Sequence, residues 1–358
     1  MVAKTKMKSS KFFDVMSYKP DTTVKHRVIS LFSGCGGMDL GLEGGFTVFG
    51  QAYPENPFET VHASDINLSS TVTFNHNFHG TSFNIDINEL NVEDLPEADI
   101  VIGGFPCQPF SHSGLRGGFD DHKGRGELYQ QMKRVIDHIK PKLFIAENVD
   151  GLRTKKVKGA NGETDTTALE KVVEDFEKSG YDVAYRVLRA VDYGIPQTRV
   201  RVIIIGKRKD IPGDILYPQV THGTDLLTYR SSKDALEDLW DLLDTGKVEN
   251  HTTKDYSKAV FRPGSKSQGN AQVPENRPAQ TVRAESHGNV YGHYKGEPTN
   301  METWRRLTAR ECARLQSFPD SFVFPVSQSQ AHKQIGNAVP PVLAWFIARA
   351  CAKMLQEA

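Results

Sequence analysis

Along residues 24–207, short β-branched runs alternate with segments of helical periodicity, an alternation that restricts the chain to a mostly parallel sheet flanked by helices. The strand candidates are RVISLF (27–32), TVHASDI (60–66), ADIVIGGF (98–105), KLFIAENV (142–149) and RVRVIIIG (199–206). In GELYQQMKRVIDHIKP, Leu128, Met132, Val135, Ile136 and Ile139 share one helical face before Pro141 ends it. The expected class is α/β, a Rossmann-like domain, and such open sheets place ligands at the carboxyl ends of their strands.

The texture changes after Gly206. Ser231 and Asp234 have capping-box spacing, and Leu236, Leu239, Trp240 and Leu243 make an apolar stripe. A long polar stretch follows; within residues 251–296, Lys and Arg outnumber Asp and Glu while Tyr and Phe are interleaved. That composition suits a surface that grips phosphates and base edges, and equally a solvated domain edge. Thr308 and Glu311 repeat the capping-box spacing, and a Gly/Pro turn then feeds an apolar helix. Four segments result: a flexible tail (1–23), a catalytic and cofactor-binding domain (24–210), a smaller irregular domain (211–327), and a C-terminal motif and helix (328–358) that return to the first domain.

Charge is uninformative about an anionic partner, since Lys+Arg and Asp+Glu both number 44 in the 358 residues. Cys35, Cys107, Cys312 and Cys351 are too dispersed for a zinc knuckle or a disulfide framework, and no metal is expected. They read as thiols in a reducing cytoplasm. No apolar run stands out as membrane-spanning, and the Lys-rich start lacks the apolar core of a signal peptide, so the expectation is a soluble, cytoplasmic protein.

SLFSGCGGMDLGLEGG (30–45) is a strand, a glycine-rich turn and a helix, an arrangement that fits a dinucleotide, a phosphate or S-adenosylmethionine. Asp65 ends the next strand, where a carboxylate can accept from both hydroxyls of a ribose or cap a helix. The turn reads G-C-G-G rather than G-x-G-x-x-G, which counts against nicotinamide or flavin. In GGFPCQPFSHSG (103–114), Cys107 follows a third strand between two prolines; an isolated cysteine is most often buried filler. Glu147, in the ENV that ends the neighbouring strand, changes that reading, because a thiol beside a carboxylic acid suits covalent activation of an electron-poor ring. Gln197, Arg199 and Arg201 alternate along QTRVR and are expected to converge on the same pocket.

The ordered series SLFSGCGG, SDI, IDI, GGFPCQPFS, GRGELY, ENV, QTRVR, RRLTARECARLQSFP and KQIGNAVPP resembles the DNA cytosine-5 methyltransferase family from about residue 27 onward. Asp65 stands where many members carry Glu, 157–167 looks like an insertion, and the N-terminus is extra. The resemblance implies S-adenosylmethionine as cofactor, held by Phe32, Ser33, Gly34, Cys35, Gly36, Gly37, Asp65, Ile66, Asp86, Ile87, Pro106, Leu128, Asn337 and Val339. It implies Cys107 as nucleophile, Glu147 as acid, Arg201 as the contact to the cytosine carbonyl oxygen, and Arg199 or Arg201 as the catalytic charge that favours the thiolate. It implies DNA contacts by Gln108, Ser111, Gln197, Arg277 and Arg283. The substrate is then a specific cytosine-containing duplex DNA site and the protein a monomer, with a restriction endonuclease as functional partner. A transfer-RNA cytosine-5 methyltransferase and a non-catalytic DNA-binding relative are the alternatives.

Overall fold

A computed structural model describes residues 9–78, 81–106, 128–157, 166–254, 270–284, 290–297 and 304–357. Seven strands form the central sheet: β1 (His26–Leu31), β2 (Phe58–Asp65), β3 (Ser82–Asn84), β4 (Ile100–Gly103), β5 (Leu143–Val149), β6 (Tyr181–Arg189) and β7 (Val200–Arg208). Their order across the sheet is β6-β7-β5-β4-β1-β2-β3. β1 to β5 pair in parallel, and β7 runs antiparallel to both β5 and β6.

Side chains two residues apart divide between the two faces of the sheet. Ile100, Ile102, Ile203 and Ile205 pack on one face with the helices Gly37–Glu43 and Pro341–Gln356, through Leu42, Trp345 and Phe346. Val101, Phe144, Val202 and Ile204 pack on the other with Met132, Val135 and Ile136 of the helix Leu128–Ile139 and with Val172 and Phe176 of the helix Ala168–Glu177. Burying both faces requires near-continuous apolar strands, which β4, β5 and β7 supply.

The C-terminal helix docks at backbone distance. A Cβ on Gly41 would lie 2.3 Å from the Pro341 carbonyl oxygen and 2.4 Å from the Ala344 Cβ. The helical stretch Gln328–Gln356 is long and apolar enough to cross a membrane by length and composition, contrary to the expectation above, yet 94% of its most apolar window is buried within the protein. Its hydrophobicity serves the core.

Three segment boundaries differ from those expected. Ser10–Phe13 is a strand paired in parallel with Ile215–Pro218, and Arg349 donates to the Tyr18 carbonyl at 2.6 Å, so the chain is anchored well before residue 24. Phe13, Val15 and Tyr18 supply the apolar contacts that anchor it. Ile215–Pro218 belongs to the first lobe, because the buried Tyr217 donates to the carbonyls of Ala184 and Ile203. The helix Gln328–Asn337 belongs to the second, with Ala331 and Ile335 in a core that also contains Leu236, Leu239, Val282, Leu315 and Phe318. Both capping boxes of that lobe are formed, Ser231 with Asp234 and Thr308 with Glu311.

Asp39, in the first helix, is fully buried among Ser30, Thr60 and Glu43, and burial pushes its carboxyl up to about 7. The usual value is near 3.8. The folded protein therefore holds this proton more tightly than the unfolded chain, so Asp39 makes stability fall as pH rises from about 4 to about 7, with no further change above. Asp39→Asn removes the buried charge and is expected to raise Tm by several degrees at pH 8 and by much less at pH 4.5. Equal shifts at both pH values in thermal denaturation would rule this account out.

Candidate active site

The strand order reverses at β1: β2 and β3 lie on one side, and β4, β5, β7 and β6 on the other. Open α/β sheets bind ligands at such a reversal, between the chains that leave the two diverging strands, here β1 and β4. Gly103 lies opposite both Leu31 and Ala146, and Arg201 lies opposite Val149. Residues 32–37, residues 104–106, Glu147 and the start of the antiparallel β7 are thus all brought to one edge of the sheet.

Glu147 is 8% exposed, and its two oxygens face different neighbours. Oε1 pairs with Arg201 Nε at 2.6 Å. A Cβ on Gly104 would lie 3.0 Å from Oε2, so only the bare backbone of residue 104 passes close beside the carboxylate. Glu147 is registered with Ile203, which makes Arg201 its diagonal neighbour on the same face. The next residue, Asn148, donates to the Phe105 carbonyl at 3.1 Å and fixes the segment that continues through Pro106. The sequence contained Asn148 in ENV, but only the pairing of β4 with β5 gives it a partner.

Arg199 is placed differently from Arg201. It is 1% exposed and donates to the carbonyls of Val282 (3.2 Å) and Asn337 (3.4 Å). Burial, and then the like charge of Arg201, pulls its guanidinium well below the usual range, while Glu147 acts in the opposite direction. This differs from the expected catalytic placement: Arg199 is near the acid but is enclosed by protein. Gln197 is corrected likewise, since it is fully buried and its amide bonds Val282 N, Leu315 O and Gln316 Oε1, leaving none of it for DNA. Arg277 and Arg283 are exposed on the second lobe. Cys107, Gln108 and Ser111 lie outside the described residues.

On the other side of β4 the crevice is built from the β1 turn and the end of β2. Asp65 accepts from Gly34 N through Oδ2 (2.9 Å) and from Asn67 N through Oδ1 (2.8 Å). Burial raises its carboxyl, and those two amides and Lys333 oppose the rise. Gly34 has a φ of 56° and nothing within 4 Å of where its Cβ would lie, so open space adjoins the turn. Ile66 is 70% exposed beside it, held by Asn84, which donates to the carbonyls of Asp65 and Ile66. A carboxylate fixed by backbone amides, next to an exposed aliphatic surface and an open glycine, fits a ligand with a ribose and a flat ring. Asp86, on the following loop, is half-buried, and its Oδ1 accepts from Asn88. Phe32 and Leu128 are half-buried against the core of this face, and Ser33 is tied to the Ser64 carbonyl.

Other positions named for the cofactor point elsewhere. A Cβ on Gly36 would lie 2.3 Å from the Phe78 ring and one on Gly37 2.6 Å from the Val339 carbonyl oxygen, so these glycines allow close packing of protein on protein. Ile87 and Val339 turn their side chains into the core, whereas Asn337 is exposed. The Cys35 thiol lies in the second lobe's core, and burial pushes it up to about 12. Cys351 is pushed up to about 12 as well, and Cys312 is also raised by burial. None of these three can supply a thiolate near neutral pH.

The family model described as "C-5 cytosine-specific DNA methylase" matches residues 26–353, which span both lobes. The chain belongs to the C-5 cytosine-specific DNA methylase family. This methylase is 34% identical over 342 residues to the Type II methyltransferase M.NgoFVII of Neisseria gonorrhoeae, covering 88% of this chain and 84% of the relative. It is 35% identical over 366 residues to M.NgoPII of the same organism, covering 94% and 98%. The crystal structure of the S. pombe Dnmt2 methyltransferase superposes with a TM-score of 0.64 at 19% identity, covering 93% of the methylase and 99% of that chain, a likeness of fold. The methylase is a DNA cytosine-5 methyltransferase with a mostly parallel α/β sheet.

Proposed function

We propose that the enzyme methylates carbon 5 of a cytosine flipped out of a specific duplex-DNA site, through a covalent adduct on Cys107, with S-adenosylmethionine as donor. One observation carries this reading: a carboxyl group, Glu147, braced by Arg201 at 2.6 Å, at the strand end beside the segment that leads through Pro106 to Cys107.

The cytosine ring is too electron-poor at carbon 5 to attack an electrophile. The Cys107 sulfur bonds carbon 6 while Glu147 gives a proton to ring nitrogen 3, and the ring's electron pair moves to carbon 5. Arg201 keeps the acid in place and offers N–H groups to the cytosine carbonyl oxygen. S-adenosylmethionine supplies, when bound, an electrophilic methyl group for carbon 5 of the activated ring. Loss of the carbon 5 proton to solvent then restores the double bond and releases the Cys107 thiolate, and nitrogen 3 returns its proton to Glu147. Asp65 would hold the ribose of the cofactor, Ile66 one face of its adenine and Asp86 the adenine amino group. Extruding the base costs a few kcal/mol of stacking and pairing. Gln108 and Ser111, in the Gly/Ser-containing sequence after Cys107, and Arg277 and Arg283 on the second lobe are the proposed DNA contacts that offset it.

The names of the Type II relatives support a role in a restriction system, in which methylation shields DNA from an endonuclease; a monomer acting in the cytoplasm is part of the same proposal. The test is to expose unmethylated duplex DNA to the purified enzyme with labelled S-adenosylmethionine and to map 5-methylcytosine by bisulfite sequencing. One sequence context should acquire the mark. Label in transfer RNA with none in DNA would overturn the assignment in favour of the RNA substrate.

A further inference from the structure

Residues 279–282 of the second lobe lie along the segment that leads into β7. Ala279 N donates to Pro196 O at 2.9 Å and Thr198 N donates to Ala279 O at 2.8 Å, a parallel bridge centred on Gln197. Three residues further, both sides of Val282 are held by side chains of the same segment. Val282 N donates to Gln197 Oε1 at 3.0 Å, and Arg199 donates to Val282 O at 3.2 Å. The remaining groups of these two side chains reach the rest of the lobe junction: Gln197 Nε2 reaches Leu315 O and Gln316 Oε1, and Arg199 reaches Asn337 O. Gly336 completes the clasp, since a Cβ there would lie 2.2 Å from Ala284 N and 2.3 Å from the Arg283 carbonyl carbon.

Arg283, the next residue after the clasped Val282, is exposed, and Arg201, two residues after Arg199, holds Glu147. We propose that Gln197 and Arg199 are positioning residues through which DNA contact at Arg283 sets the placement of the Arg201–Glu147 pair, so that sequence recognition is read out in the rate of methyl transfer. Burial makes the link stiff: Gln197, Arg199, Val282 and Gln316 are each at most 2% exposed. A shift of the Val282 backbone breaks a buried hydrogen bond on one side or the other unless Gln197 and Arg199 move with it. On this proposal, correct DNA holds the Val282 backbone and the Arg201–Glu147 pair in place together.

This inference rests on the reading of Arg277 and Arg283 as DNA contacts. The test compares single-turnover methylation and DNA binding for Arg199→Lys and Arg283→Ala, singly and together, on the mapped site and on a duplex with one recognition base changed. Lysine keeps the charge but cannot span Val282 O and Asn337 O together. Arg199→Lys should slow the mapped site roughly tenfold or more, leave DNA affinity within about threefold, and narrow the rate ratio between the two duplexes. The double variant should be less impaired than the product of the singles by about fivefold or more. Gln197→Asn, which keeps the amide but is one methylene short, should give the same pattern and serves if Arg199→Lys does not fold. Additive effects, or equal slowing on both duplexes, overturn the coupling while leaving the DNA assignment intact. Wild-type protein that methylates no duplex defeats the underlying reading and the coupling with it.

Discussion

Exchanging Cys107 for alanine is expected to abolish methyl transfer, by roughly 10⁴-fold or more, with binding of duplex DNA and cofactor retained. The size follows from the chemistry: without a nucleophile at carbon 6, no other group makes carbon 5 electron-rich. The remaining cysteines cannot substitute, because burial holds Cys35 and Cys351 protonated at about 12 and raises Cys312 too. A duplex carrying 5-fluorocytosine at the target position gives a direct reading of the adduct. Fluorine cannot leave carbon 5 as a cation, so sulfur stays bonded to carbon 6 and the protein runs as a DNA conjugate on a denaturing gel. Cys107→Ala should form none; turnover within tenfold of wild type would remove Cys107 from the mechanism.

Glu147→Gln should lower kcat by about 10²–10⁴ with little change in DNA affinity, since an amide matches the shape of the acid but cannot pass a proton to nitrogen 3. It should also destabilise the fold. The Arg201 and Glu147 side chains are only 12% and 11% exposed, so the substitution leaves a largely buried guanidinium without its counter-charge, at a cost of about 3 kcal/mol. Arg201→Lys keeps the acid and a positive charge but removes the guanidinium that braces the acid and is proposed to face the cytosine carbonyl oxygen. Its kcat should lie between those of wild type and Glu147→Gln. If Glu147→Gln keeps kcat within tenfold of wild type, proton donation by this residue is wrong.

The sheet was largely legible because strands buried on both faces need near-continuous apolar runs, and ADIVIGGF, KLFIAENV and RVRVIIIG contain them as IVIG, LFIA and VIII. β3 and β6 escaped for the opposite reason. Ser82–Asn84 is a three-residue edge strand, and Tyr181–Arg189 closes the other edge with Asp182, Arg186 and Arg189 interleaved among its apolar residues. At the site, Glu147 and Arg201 could be directed to one pocket on paper because each lies near one end of a recognisable strand run. Gln197 and Arg199 could not be given their places by periodicity alone. Strand alternation puts them with Arg201, but what encloses them is a second lobe whose position is set by contacts more than 80 residues away, as in the Gln197–Val282 bond at a separation of 85 residues. The glycine turn misled in a similar way: the same absence of Cβ serves an open crevice at Gly34 and tight packing at Gly36, Gly37 and Gly41.

The helix Pro341–Gln356 covers one face of the central sheet, and Trp345 Nε1 in it donates to the Pro54 carbonyl across 291 residues of chain. During synthesis, that face stays uncovered until the second lobe has been made. Closing so long a loop late would be slow if the intervening chain were unfolded. The second lobe shortens it, since Arg199 meets Asn337 and Ser317 accepts from Val342 N once the lobe has formed. Forming the second lobe therefore shortens the last closure of the first, and nascent chains stalled within it would leave Ile100, Ile102, Ile203 and Ile205 uncovered.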